Sequence, residues 1–295
     1  MPCICHIHTN DYIRFFAVKR LIVNADDFGM TQGINRGIVE ASRKGIVTAA
    51  SIMVTGWAFE EAVRLARENP KLDIGLHLSL TVGKPVSNDA AVHRHLASHG
   101  TFRLGNRDIL IGLILRTISP SVAHREIEAQ FKKAADTRLP ITHIDGHESI
   151  HLFPGIREGV FQLMERYRVP FIRHSYEAMS LRSVWKLRRW KKVLLALFGL
   201  VFRRHIRRRG IGTTDHYYGA FDAGYLGKER LVAMISRLQE GTSEIMCHPG
   251  YRDDSFDRIS GGRYLPDQEL WALMDPEVKD LLHQRGIQLI SFRDL

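Results

Sequence analysis

Two adjacent carboxylates, Asp26 and Asp27, follow the apolar run Leu21–Ala25. Three more strand-like runs end in side chains able to bind a metal or move a proton: His77 in Leu72–Leu78, Asp145 and His147 after Ile141, and His248 after Glu244–Met246. Two imidazoles and one carboxylate form a facial donor set for a divalent ion and leave positions for water and substrate. The second aspartate of the pair can then stay off the ion and take a proton from the attacking water. His248, in Cys247-His248-Pro249-Gly250, would protonate a leaving group from the opposite side.

Each element also has a plainer reading. Asp-Asp-Phe-Gly suits a loop or helix cap, and a histidine such as His77 on an apolar strand suits a core position. His143 and His151 suit positions that orient other groups through hydrogen bonds. A Cys247 nucleophile is rejected, because neighbours on an extended strand face opposite sides.

The positioning elements alternate along the chain. Leu21–Ala25, Ile46–Val54, Leu72–Leu78, Ile141–Asp145, Phe171–Arg173, Glu244–Met246 and Ile287–Ile290 read as extended. Between them, Thr31–Ser42, Trp57–Asn69, Ser119–Ala135, Pro154–Arg168, Lys228–Leu238 and Pro276–Gln284 read as helices. Such alternation implies a mostly parallel sheet, open or closed into a barrel, whose strand C-termini share one face. Residues far apart in the chain would meet there.

The 295 residues are 44% hydrophobic and 25% charged, which excludes collagen, a disulfide scaffold and a largely disordered chain. Three cysteines, at 3, 5 and 247, cannot staple a chain of this length, and Cys3-x-Cys5 lacks the usual metal or redox spacing. The first residues lack a secretory pattern and no 18-residue apolar span occurs, so a cytoplasmic protein is expected. Residues 1–19 read as an N-terminal extension and 20–295 as one domain.

The segments NADDFGMTQGIN, GIVTAASIMV, DIGLHLSLTVGKPV, THIDGHESIHLFP and EIMCHPG occur in this order. Together they resemble the YdjC-like carbohydrate deacetylases, which include chito-oligosaccharide deacetylases. The resemblance implies a distorted, TIM-like, seven-stranded (β/α) barrel that hydrolyses N-acetyl groups of amino sugars with one divalent metal, Zn2+ or Mg2+. It makes Asp27, His77 and His147 the metal ligands, Asp26 the general base and His248 the general acid. Around them, His143, Asp145, His151, Arg173, His216 and Tyr217 are expected to orient these groups or touch substrate. The family's His-x-His-x-His pattern departs here, with Ser149 between His147 and His151.

The net charge of +10 has one source: eleven Lys and Arg between Arg182 and Arg209, with no acid between Glu177 and Asp215. Residues 181–209 place Leu187, Trp190, Leu194, Leu197 and Val201 at helical spacing beside these charges, the pattern of a helix lying on an anionic membrane. The competing reading packs that apolar row on the barrel. Nucleic-acid binding ranks last, since no nucleic-acid-binding fold accompanies the basic stretch. The length, the TTDHYYG segment and this insert most resemble the hopanoid-biosynthesis-associated branch. That likeness implies N-acetylglucosaminyl bacteriohopanetetrol, a lipid-linked amino sugar, as substrate. A soluble chito-oligosaccharide, a metal-dependent phosphoesterase and a non-catalytic membrane-binding module are the alternatives.

Overall fold

The strand that carries the paired aspartates extends past its apolar run, since β1 spans Lys19–Phe28 and is buried from Leu21 onward. A computed structural model describes residues 18–177, 190–262 and 264–295, without side-chain detail for 190–198. After β1 come β2 (Ala49–Ile52), β3 (Asp73–Leu78), a short antiparallel hairpin of β4 (Ala97–Ser98) and β5 (Thr101–Phe102), and β6 (Ile141–Gly146). Then follow β7 (Phe171–Ile172), β8 (His216–Tyr218), β9 (Gly241–Cys247) and β10 (Ile287–Leu289).

Seven strands form one curled parallel sheet in the order β7-β6-β3-β2-β1-β9-β8. An eighth, β10, pairs in parallel with Lys19–Leu21 at the start of β1, where β2 has not yet begun. Ile172 N donates to Gly212 O at 3.0 Å and Gly212 N to Pro170 O at 3.0 Å. These bonds tie β7 to the segment leading into β8, so the two ends of the sheet approach each other. The result is the distorted TIM-like barrel expected from the sequence.

Helices cover the outside of the barrel for local reasons. Thr31 accepts a hydrogen bond from Ile34 N and caps Gln32–Lys44, whose Ile34, Ile38 and Val39 are buried. Each such aliphatic side chain contributes about 1.5–3 kcal/mol by leaving water. Phe59–Glu68 buries Phe59, Ala62, Val63 and Ala66. Ser119 caps Pro120–Asp136, with the proline in the first turn as expected. The helix expected from Pro154 starts at Arg157, because Gly155 at φ 85° breaks any helix begun at Pro154; before it, His147–Leu152 forms a 3-10 turn with positive φ at Glu148 and Ser149. The helices Ala90–Leu96, Asn106–Ile114, Asp254–Ser260 and Pro266–Met274 were not expected. They are short or lie in stretches where turn residues mask the apolar period.

The basic insert forms a helix over Trp190–Arg208; its earlier part, with Leu187, lies outside the described residues. The expected apolar row needs correction at its end: Val201 is 57% exposed, whereas Phe202 and Ile206 are buried. Phe202 stacks on Phe161 and meets His151 edge-on, so this end of the helix packs on the barrel. Among the described residues no helix is long and apolar enough to cross a membrane.

Candidate active site

A regular strand would send Asp26 and Asp27 to opposite faces. Instead, the β1–β2 register shifts between Ala25 and Phe28, and Asp27 takes φ 67°. Left-handed backbone at a residue other than glycine costs on the order of 1–3 kcal/mol, and aspartate tolerates it better than most. Met30 N donates to Asp27 O at 2.9 Å and Gly29 N to Asn35 Oδ1 at 2.7 Å, which hold the kink. Both carboxylates, expected just past the strand, thus lie in its bulged end and serve neighbouring parts of one site.

Asp27 Oδ1 lies 3.0 Å from His147 Nδ1 and 3.4 Å from His77 Nε2. The three donor atoms fall within 4.8 Å of one another. His77 Nδ1 is 2.8 Å from Asp145 Oδ1 and donates to it, which turns Nε2 toward Asp27. That Nε2 is buried and has no hydrogen-bond partner. A buried, unpartnered imidazole nitrogen between two carboxylates suits a cation, and the donor set fits a divalent ion. Burial would lower the His77 pKa, yet Asp145 and Asp26 raise it to about 10. Burial would raise Asp27, yet His147 and His77 hold it well below the usual carboxylate range.

Asp26, His77 and Asp145 form a second cluster of donor atoms, but Arg173 already supplies its cation. Arg173 Nη1 and Nη2 donate to the two oxygens of Asp26 at 2.7 and 2.8 Å. Nη2 also lies 2.8 Å from Asp145 Oδ2, and Nε donates to Glu244 Oε1 at 2.7 Å. Three carboxylates thus surround one buried guanidinium. Burial opposes ionisation of Asp145, but Arg173 and His77 hold its pKa well below the usual range. For Glu244 burial prevails over Arg173, and its carboxyl is pushed up to about 7.

His248 follows β9 and lines a cleft of about 290 Å³ together with Asp26, His77, His147, Arg173 and Tyr217. Its ring stacks on Tyr264 at 5.6 Å, and its Nδ1 stands 3.9 Å from Glu269 Oε2. Glu269 also accepts a hydrogen bond from His248 N at 2.5 Å. Cys247 points away, buried, and its thiol donates to Asn24 O at 3.4 Å.

The six supporting residues divide. Asp145 and Arg173 contact the central groups directly, and Tyr217 lines the cleft with its ring 5.6 Å from the Arg173 guanidinium. His143 lies beneath, with Nε2 3.0 Å from Asn24 Oδ1 and 3.2 Å from Ser51 Oγ. His151 donates to Arg173 O at 3.0 Å and so supports the loop that aims the guanidinium. His216 is not brought to the site: it starts β8, one residue before Tyr217, and its Nε2 contacts Glu240 O at 3.0 Å. Alternation along the strand places one of the two inside and the other out.

Sequence reasoning missed Asn24, Ser51, Glu244 and Glu269. Asn24 Nδ2 donates to Asp26 Oδ1 and Ser51 Oγ at 2.8 Å each, and Ser51 donates to Asp145 Oδ2 at 2.7 Å. The available signals were Asn24 two residues before Asp26, on the same strand face, and Glu244, an ionisable group inside a buried strand.

The distorted barrel carries the Asp-His-His cluster at its carboxyl rim, the face on which α/β-barrel enzymes build their sites from several strand ends. The chain is 37% identical over 279 residues to a carbohydrate deacetylase of Brevibacillus brevis, covering 94% of this chain and 99% of that one. It is 34% identical over 277 residues to a carbohydrate deacetylase of Geobacillus stearothermophilus, with 92% and 96% covered. An Enterococcus faecalis protein whose structure is named for cellobiose-phosphate cleavage superimposes with a TM-score of 0.75 at 25% identity, covering 94% of this chain and 98% of that one. The YdjC-like protein family matches residues 20–284, and the chain belongs to that family.

Proposed function

We propose that the protein is a carbohydrate deacetylase that hydrolyses the N-acetyl group of an N-acetylglucosamine-containing substrate, releasing acetate and a free amine. The observation that carries this reading is the cluster of Asp27, His77 and His147, with Asp26 beside it and His248 in the same cleft. When bound by these three residues, a divalent ion supplies Lewis acidity, making water more acidic and polarising the acetamide carbonyl.

The other roles belong to the chain itself. Asp26 takes the proton of the attacking water, while Arg173 fixes both its oxygens in position. Asp145 accepts from His77 Nδ1 and so holds the imidazole with Nε2 forward. His248 gives a proton to the amine nitrogen as the C–N bond breaks, with the Glu269 carboxyl behind its ring. Water supplies the hydroxyl that ends on acetate and the proton that ends on the amine.

For the substrate, the resemblance to the hopanoid-associated branch favours N-acetylglucosaminyl bacteriohopanetetrol. Exposed Val201, Arg204 and Arg208 on the insert helix suit an enzyme that works at the anionic surface of a membrane from the cytoplasmic side. Mass spectrometry of products from that lipid and from N-acetylated chitobiose tests both levels. Acetate from the lipid supports the full reading, acetate from chitobiose alone overturns the lipid assignment, and acetate from neither overturns the deacetylase.

A further inference from the structure

The seam where β7 meets the segment leading into β8 collects buried polar groups that the chain itself does not satisfy. His174, two residues past β7, is fully buried, and its Nδ1 accepts from Tyr176 N at 2.9 Å. The ring proton therefore sits on Nε2, which has no hydrogen-bond partner among the described residues. Arg203 Nε, on the insert helix, is buried and unpartnered too, as are the hydroxyls of Thr213 and Thr214 just before β8. A buried donor left unpaired is costly. Positive charge gathers around the same place: burial together with Arg203, His216 and Arg207 pushes the His174 pKa down to about 3, so the ring stays a neutral donor. Among the described residues Asp215 is the one carboxylate within 4.0 Å of Arg203 or Arg207, and its Oδ1 stands 3.9 and 3.6 Å from their Nη2 atoms, beyond hydrogen-bond reach. Its Oδ2 is engaged by Thr242 N at 3.0 Å. The chain has no acid between Glu177 and Asp215, so the stretch joining β7 to the helix brings no carboxylate of its own.

We infer that this seam is an oxyanion site for a phosphate group, held by His174 Nε2–H, Arg203, Arg207 and the Thr214 hydroxyl, and bridging the insert helix to the barrel. Guanidinium, imidazole N–H and hydroxyl are all donors to phosphate oxygens, and the arginine fork is the strongest of them. Here they come from three elements: the end of β7, the insert helix and the lead into β8. Donors converging from several directions suit a tetrahedral group better than a planar carboxylate. Arg207 is exposed and Arg203 partly so, which leaves the outer side of the cluster open to solvent. A free phosphate ion and the headgroup of a phospholipid offer the same chemistry. The site lies apart from the Asp27, His77 and His147 cluster, and the inference does not depend on the deacetylase reading.

The test titrates inorganic phosphate into wild type and Arg203→Gln by calorimetry, and pellets both with phosphatidylglycerol vesicles. Arg203→Gln should weaken phosphate binding at least about tenfold, the scale of one lost charge-assisted hydrogen bond. That result supports a site for the free ion, whereas a comparable loss confined to vesicle pelleting assigns the group to a lipid headgroup. The variant keeps Asp27, His77 and His147, so phosphate bound in the catalytic cleft would titrate identically in both proteins, and identical behaviour with both probes overturns the site. A second readout follows the His174 Nε2–H signal by nitrogen-edited NMR, identified by its loss in His174→Gln. Saturable movement of that signal on adding phosphate or short-chain phosphatidylglycerol supports the site. A signal that neither probe moves overturns it and leaves ordered water as the partner of these donors.

Discussion

Asp26 and Arg173 stand 147 residues apart in the chain and meet through two parallel hydrogen bonds of 2.7 and 2.8 Å. Neither oxygen of Asp26 can rotate away without breaking one of them, so the carboxylate is held in a single orientation toward the cleft. The same guanidinium touches Asp145 and Glu244. One cation therefore stabilises the proposed base and the residue that orients a proposed metal ligand.

Arg173→Met should leave Asp26, Asp145 and Glu244 buried without their counter-charge. Removing one partner of a buried ionic group typically costs about 3–5 kcal/mol. Urea denaturation of the variant should show a loss of that order; a loss under about 1 kcal/mol, as at an exposed pair, would contradict the account of the network.

Asp26→Asn should retain metal yet lower acetate release at least about a hundredfold, the scale of a lost general base. His77→Ala should lose metal. Elemental analysis beside an acetate assay checks both, and an active Asp26→Asn enzyme would exclude that base.

Asp145→Asn keeps every proposed ligand but weakens the acceptor for His77 Nδ1–H. Metal affinity should fall about 10- to 100-fold, as is typical when a group behind a ligand is altered. Competition with a chelator measures it, and unchanged affinity would remove Asp145 from this role.

Burial pushes the Glu177 carboxyl up to about 7 against the opposing hydrogen bond from Phe221 N. In the unfolded chain the group returns to its ordinary value near 4.5. Between these values the folded protein keeps a proton that the unfolded chain has released, so the contribution of Glu177 to stability declines as pH rises through the window. The urea midpoint of wild type, relative to Glu177→Gln, should fall from pH 5 to pH 8. Parallel midpoints would refute the shift.

The membrane reading is best tested without deleting the insert, because Phe202 and Ile206 are buried against the barrel. Arg204 and Arg208 are exposed, whereas Arg209 pairs with Glu158 at 2.7 Å. Arg204→Glu with Arg208→Glu should weaken pelleting with anionic vesicles by roughly tenfold or more, given about 1 kcal/mol per basic residue near the surface. Equal pelleting of the variant would detach the membrane from this end of the helix.

Much of the architecture was legible from local pattern. Alternating apolar runs and capped helices announced a parallel α/β barrel, and strand ends carrying Asp, His and His announced side chains that meet on one face. Those signals are local, because strand and helix periods and caps depend on neighbours a few residues away. What tertiary structure alone decided was direction. The bulge that turns Asp27, the guanidinium that locks Asp26, the split between His216 and Tyr217, and the burial of Phe202 in place of Val201 each depend on contacts from distant segments. Spacing along a chain says which residues can share a face, but packing and the pairing of buried charge decide which of them do.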